Sequence, residues 1–189
     1  LDDGSAAGTL PVDRASIIGG SADSTLTAFL QKRVSHMQDL AELILQLPGN
    51  TPADFPAVQS ALLLLVHCIA PKADHLFRML PPSVTATLAH EVDKLLLETL
   101  CTLMGMSLTP LQERQVHFGL SQGGLGLATR RGKFASAAFL ASWAQAYGEV
   151  SRLCQWHLPA DLSLSPPGSV GHAIWLAARD VGPGAEPSG

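Results

Sequence analysis

Apolar side chains recur every three or four positions along most of this chain, the rhythm of helices that bury one face. Leu26, Phe29, Leu30, Val34, Met37, Leu40, Ala41, Ile44 and Leu45 form one such stripe. Ser24 is placed to cap its start and Pro48-Gly49-Asn50 to end it. Thr51-Pro52-Ala53-Asp54 then sets a hydroxyl, a first-turn proline and a carboxylate in capping-box spacing. The helix it announces runs through Val58, Leu62, Leu65, Val66 and Ile69, and it is apolar nearly all round, which predicts a place at the centre of a bundle. Pro71 is expected to break it, and a short amphipathic piece over 72–79 stops at Pro81-Pro82. Ser83 caps the next long stripe, with Leu88, Val92, Leu95, Leu96, Leu100, Leu103 and Met104 inward and Gly105 as its C-cap. Thr109-Pro110-Leu111-Gln112 repeats the cap, proline and acceptor pattern for a shorter helix reaching Phe118.

A glycine-dense segment, Gly119-Leu120-Ser121-Gln122-Gly123-Gly124-Leu125-Gly126-Leu127, separates that helix from the last long one, over 131–156. The latter carries Ala135, Ala137, Ala138, Ala141, Ala144 and Ala146, small residues that allow a neighbour to approach closely, with Phe134, Phe139, Leu140 and Trp143 as bulk. The pattern therefore predicts an all-α fold, an irregular bundle of about five to six helices with a glycine-rich turn before the last long helix. The bundle occupies residues 24–157. Residues 1–23 form a loop-rich segment with one strand fragment at Ile17-Ile18. Residues 158–189 read as a Pro/Ser/Gly-rich linker, a short helix over 172–181 and a disordered tail. The chain opens at Leu1 without a methionine, and the expectation is that it is a piece of a longer protein.

Composition sharpens this picture. Charged residues are only 15%, against roughly 25% in a typical soluble domain, so part of the apolar surface is expected to be covered by another domain or a partner. A net charge of −4 argues against a free-standing nucleic-acid binder. Cys68, Cys101 and Cys154 read as buried apolar side chains in a reducing compartment rather than a disulfide framework. The longest apolar run, over 61–66, falls short of a membrane span, and no signal-peptide pattern is present. The expected location is intracellular, cytoplasmic or nuclear, with no membrane.

The glycine segment invites a phosphate-loop reading, but Leu127-Ala128 stands where a Walker loop needs Lys and Ser/Thr. The segment before Gly119 is helical in pattern, whereas a dinucleotide fingerprint follows a strand. The glycines are therefore expected to make a tight reversal with positive φ, docking Leu125 and Leu127. Arg130, Arg131 and Lys133, with Arg114 on the preceding helix, are the one local concentration of basic residues, the candidate contact with a nucleic-acid backbone. Lys72, His75 and Arg78 share a helix face and could extend it. His67 and Cys68 are neighbours that point in different directions, and Cys154 with His157 lacks a second ligand pair, so no metal site is expected. Asp2-Asp3 lack the hairpin that presents paired aspartates to Mg²⁺. No nucleophile or acid–base set is evident, and no catalytic residue is assigned.

The segment from Leu120 to Thr129, followed by Ala135-Ser136-Ala137-Ala138-Phe139-Leu140-Ala141-Ser142-Trp143-Ala144, resembles a stretch downstream of the polymerase palm in non-LTR (LINE-type) retrotransposon reverse transcriptases. Ile17-Ile18-Gly19-Gly20 with Phe29-Leu30-Gln31-Lys32-Arg33 is similar to that region's turn and following helix. The segments over 62–71 and 76–82, with Arg78-Met79-Leu80-Pro81-Pro82, are similar to its leucine-rich and Arg-x-Leu-Pro-Pro parts. The resemblance covers residues 16–147. It implies a helical thumb or post-palm region that packs beside the palm and fingers of the same polypeptide and guides a template–primer RNA–DNA duplex. The family's aromatic-x-Asp-Asp motif lies upstream on the palm. Leu1-Asp2-Asp3-Gly4 echoes its end, but the aromatic position precedes residue 1 and the following palm elements are missing, so catalysis is not carried onto Asp2 or Asp3. The first turn also lacks the family's proline. The chain is expected to hold no cofactor, with Mg²⁺ expected only in the parent palm. The resulting expectation is a non-catalytic fragment of an RNA-directed DNA polymerase. Its rival is a helical protein-interaction module with no nucleic-acid role.

Overall fold

The computed structural model describes residues 21–52, 55–155 and 157–182, and every regular element among them is helical. Residues 1–20, with Asp2-Asp3 and the Ile17-Ile18 fragment, lie outside the described residues, as do Asp54, Trp156 and the tail over 183–189. Helix α1 spans Ser21–Asn50. α2 (Ala57–Leu64), a π turn (Leu65–Ile69), a 3₁₀ turn (Ala70–Ala73) and α3 (Asp74–Met79) join into one rod, Ala57–Met79. α4 (Pro82–Met104), α5 (Pro110–Val116), α6 (Lys133–Cys154) and α7 (Val170–Val181) complete six helical rods. The expected all-α class is the observed one.

Leu30, Val34, Met37, Ala41 and Ile44 turn the buried side of α1 inward as the stripe predicts. Phe29, counted in the same stripe, is substantially exposed instead. The helix begins before Ser24, which sits inside its first turn rather than at the cap. Thr51 does not cap α2 either: its hydroxyl donates back to the Leu47 carbonyl at 2.9 Å, and the next helix waits until Ala57. Pro82 opens α4 two residues earlier than a Ser83 cap allows, with Pro81 as the preceding extended residue. By contrast Gly105 closes α4 in the left-handed region (φ 63°, ψ 29°), and Thr109 and Gln112 form the full capping box of α5.

Pro71 does not end its helix. Proline cannot donate the backbone bond that an α-helix requires there. The chain absorbs this by widening into the π turn, where the Ala70 amide reaches the Leu65 carbonyl, and then tightening into the 3₁₀ turn. The resulting Ala57–Met79 rod is long and apolar enough to cross a membrane by length and composition, although no single apolar run within it is. Its Ala61, Leu65, Ile69, Ala73, Leu76 and Phe77 are buried in the main core.

That rod is not the centre of the bundle, because Val58, Leu63 and Leu64 on its other side remain exposed. α4 takes the central place, touching α1, α2, α3, α6 and α7. Its buried line is Thr85, Leu88, Ala89, Val92, Asp93, Leu96, Thr99 and Leu100. The hydroxyls of Thr85 and Thr99 satisfy themselves on carbonyls one turn back, which lets them face the core.

The segment after α6 is more than a linker. Leu158 and Leu162 pack with Phe139, Ile174 and Ala177 in a second, smaller core that fastens α7 onto α6. Ser169 caps α7 by accepting from the His172 amide, starting the helix two residues before the expected 172.

Candidate functional site

The glycine segment reverses the chain between α5 and α6. Gly119 opens a 3₁₀ turn (Leu120–Gln122), and Gly123 (φ 77°) and Gly126 (φ 74°) take the left-handed conformation that side chains rarely adopt. Gly124 is needed for another reason. A Cβ there would stand 2.1 Å from the Phe118 carbonyl oxygen and 2.5 Å from that of Gln115. The returning strand of chain thus lies directly on the end of α5, donating from Leu125 to the Val116 carbonyl at 3.3 Å and from Gly126 to Phe118 at 2.9 Å. Gln115 Nε2 donates to the Gly123 carbonyl at 3.1 Å, and His117 Nδ1 bonds the Leu127 carbonyl at 2.6 Å. Leu127 is buried in the main core and Leu125 packs against it, as expected from the sequence.

Beyond the turn, Thr129, Arg130 and Arg131 close around one carboxylate. Asp93, 1% exposed in the middle of α4, accepts from the Thr129 hydroxyl. It accepts from the Arg130 amide at 2.8 Å and the Arg131 amide at 3.2 Å, and from Arg131 Nε at 3.1 Å. A buried carboxylate is costly unless paired and hydrogen-bonded, and here successive backbone N–H groups and one guanidinium satisfy it.

The Arg130 side chain turns inward. Its guanidinium bonds Asp74 at 3.2 Å, the Ala70 carbonyl at 2.9 Å and the Ala128 carbonyl, and lies 6.0 Å from the Phe134 ring centroid. A guanidinium this deeply buried needs a carboxylate beside it, and Asp74 supplies one. The Ala70 carbonyl it caps lies at the start of the 3₁₀ turn, where Pro71 interrupts the helical ladder.

The four predicted basic residues therefore do different things. Arg130 is 4% exposed and has no surface to offer, which corrects the expectation that it faces nucleic acid. Arg131 is half-exposed and ion-paired to Asp93. Lys133 is exposed, but its ammonium donates to the Val181 carbonyl at 3.0 Å, closing the C-terminal end of α7. Arg114 is exposed on α5. A cleft of about 640 Å³ joins Arg131 to Lys94 and His90, but Glu98 and Glu113 line it too. Lys94 pairs with Glu98 there, so the cleft is close to charge-balanced. Lys72, His75 and Arg78 are exposed on the Ala57–Met79 rod.

Asp93 and Asp74, which organise this cluster, were not among the residues singled out from sequence. Asp93 did leave a signal: it falls on the same helical line as Ala89 and Leu96, an acid within an apolar stripe. Cys68 and Cys154 are exposed rather than buried, since each sits on the outer side of its helix. Of the alanines on α6, Ala135 is buried while Ala137, Ala141, Ala144 and Ala146 face outward, so the small-residue face is only partly used. Among the described residues no three His, Cys, Asp or Glu side chains converge on one point.

The fold and this cluster define an all-α helical domain with an internally latched arginine segment. Comparison with protein-family models, with curated proteins and with solved structures finds no match.

Proposed function

We propose that this chain is a non-catalytic, thumb-like helical module of a reverse-transcriptase-like polypeptide, supporting the palm that precedes it. The observation that best supports a supporting role is the carboxylate latch on Thr129, Arg130 and Arg131. The most distinctive stretch of the chain is spent on fixing the entry of α6 to α4 and α3. In this reading contact with a template–primer RNA–DNA duplex is peripheral and falls to Arg114 and the outer edge of Arg131. Mg²⁺ and the polymerisation chemistry belong to the palm, and the module works inside the cell.

Titrating a fluorescent RNA–DNA hybrid with the chain at increasing salt tests the nucleic-acid contact. Arg114→Ala and Arg131→Gln should each weaken binding, the glutamine amide keeping a donor for Asp93. Co-purification of the chain with the polymerase domain encoded directly upstream tests the supporting role. An upstream reading frame with no palm-like aspartate motif sinks the proposal.

The second reading, a protein-interaction module without a nucleic-acid role, is favoured by the apolar side chains left open along α1 and α2, among them Leu43, Leu63 and Leu64. Salt-insensitive capture of a protein partner, with no hybrid binding at low salt, selects it.

A further inference from the structure

Helix α1 carries a second apolar line beside the one it buries. Leu40, Leu43 and Leu47 face an open groove of about 280 Å³, closed on the other side by Leu64 and Cys68 of the Ala57–Met79 rod. Leu43 is 60% exposed and Leu64 38%. The π turn helps to form this wall. Its wider winding brings residues four and five apart onto one side, so both Cys68 and Ile69 line the groove below Leu64. Interruptions of this kind are frequent at functional positions.

The groove is apolar except at one end. α1 and the rod are antiparallel across the short connection over 51–56, which puts Leu47 near the connection and Lys72 at the far end, beside Leu40. Past Leu40 the same line of α1 continues through His36 and Arg33, one and two turns on. Arg33 is exposed, with its guanidinium 4.9 Å from the Phe29 ring centroid. The acids of this part of α1, Asp39 and Glu42, are rotated off that line by about a quarter turn or more. Lys72 is the one charged residue in the lining.

We propose that this groove is the docking site for an amphipathic helix of a partner domain, one that seats leucine-like side chains between Leu43 and Leu64 and presents carboxylates to Lys72 and Arg33. Helix-in-groove recognition needs an apolar channel and a polar anchor that sets direction, and both are present. Charge complementarity favours such a helix over a second copy of this chain, because the exposed line of α1 carries Arg33 and no carboxylate to meet Lys72. This inference stands on the groove alone and does not depend on the polymerase reading.

The test uses the whole chain carrying Cys101→Ser and Cys154→Ser, which leaves Cys68 as the reporting thiol, and fluorescent peptides of about four helical turns. One peptide has leucines at helical spacing with glutamates at one end, and its control has lysines in place of the glutamates. The acidic peptide should raise its anisotropy on binding, slow Cys68 alkylation about tenfold, and bind about tenfold more tightly than the control. Lys72→Glu should reverse that preference. Leu43→Glu should abolish binding with an unchanged circular dichroism spectrum, since Leu43 is largely exposed. Equal binding of both peptides, or of neither, overturns the proposal. So does protection of Cys68 by raising the chain's own concentration or by adding lipid vesicles instead of peptide.

Discussion

Gly124 shows how one missing side chain can hold a turn together. Its backbone lies so close to the Phe118 and Gln115 carbonyls that a methyl group has no room, and carbonyl oxygens of a helix end cannot step aside. Gly124→Ala should destabilise the fold by about 3 kcal/mol, at the upper end of overpacking costs, as read by urea unfolding. Gly119→Ala is the control. Its φ is −64° and the nearest atom to its new Cβ is 3.9 Å away, so the loss should stay under about 1 kcal/mol.

Asp93 is the other single residue on which much depends. Replacing it by alanine strips the Arg130 amide and the Thr129 hydroxyl of their acceptor and leaves the Arg131 amide only the Thr129 oxygen. Arg131 is half-exposed and can turn to solvent, so the cost comes from the buried Arg130 amide left without its acceptor, about 1–3 kcal/mol, measured in the same unfolding assay. Asp161, at the surface, gives a pH-dependent counterpart. It accepts from the hydroxyl and the amide of Ser163, and these bonds to the charged form lower its pKa from the ordinary aspartate value. A depressed carboxyl stabilises the fold above its unfolded pKa and loses that contribution as pH falls through the folded value. The turn at Leu162–Leu164 should therefore loosen only on acidification below about pH 4, seen as a titration of the Ser163 amide resonance that Asp161→Asn abolishes.

Among the elements, α7 is the one fastened mainly through the smaller core rather than the main one. Ile174 and Ala177 pack on Phe139, the Ser136 hydroxyl donates to Asp180, and Lys133 closes the helix end. Gly171 lets the first turn lie on Ser165, 2.5 Å from where a Cβ would sit. A small core of this kind opens before the main one does. Ser136→Ala combined with Lys133→Ala should speed amide exchange through α7 by about tenfold while α4 keeps its protection, as hydrogen-exchange mass spectrometry can resolve. The long stripes of α1 and α4 and the capping box of α5 were legible because each depends on residues three or four apart. The starts of α1, α2 and α4 were not. Ser24, Thr51 and Ser83 are sound capping residues, but the preceding chain reached helical geometry first in one case, and in the others the prolines at 56, 81 and 82 set the start. Pro71 misled for a related reason, since the π turn that absorbs it leaves no mark in the apolar period.

For the molecule as a whole, charge is the property most altered by folding. Arg130 goes into the interior, Arg131 is tied to Asp93 and Lys133 to α7, so the basic concentration of the sequence is largely consumed. Two arginines, Arg114 and Arg131, remain of the four residues offered to a phosphate backbone. On the proposed nucleic-acid reading, the logarithm of the affinity for an RNA–DNA hybrid falls with the logarithm of salt with a slope near −2, about one phosphate per arginine. A slope that becomes shallower on replacing Arg130 contradicts its burial. Arg130→Met should lower stability without changing the slope.

The sequence by itself determined the helical class and the reversing role of the glycines, because helix periodicity and left-handed backbone are local properties. It also carried the resemblance on which the polymerase reading rests. Only the tertiary structure decided which helix is central, which arginine is spent inside and which apolar line is left open. Those outcomes depend on partners far apart in the chain, Asp93 against Thr129 and Asp74 against Arg130, and no local period records such pairings.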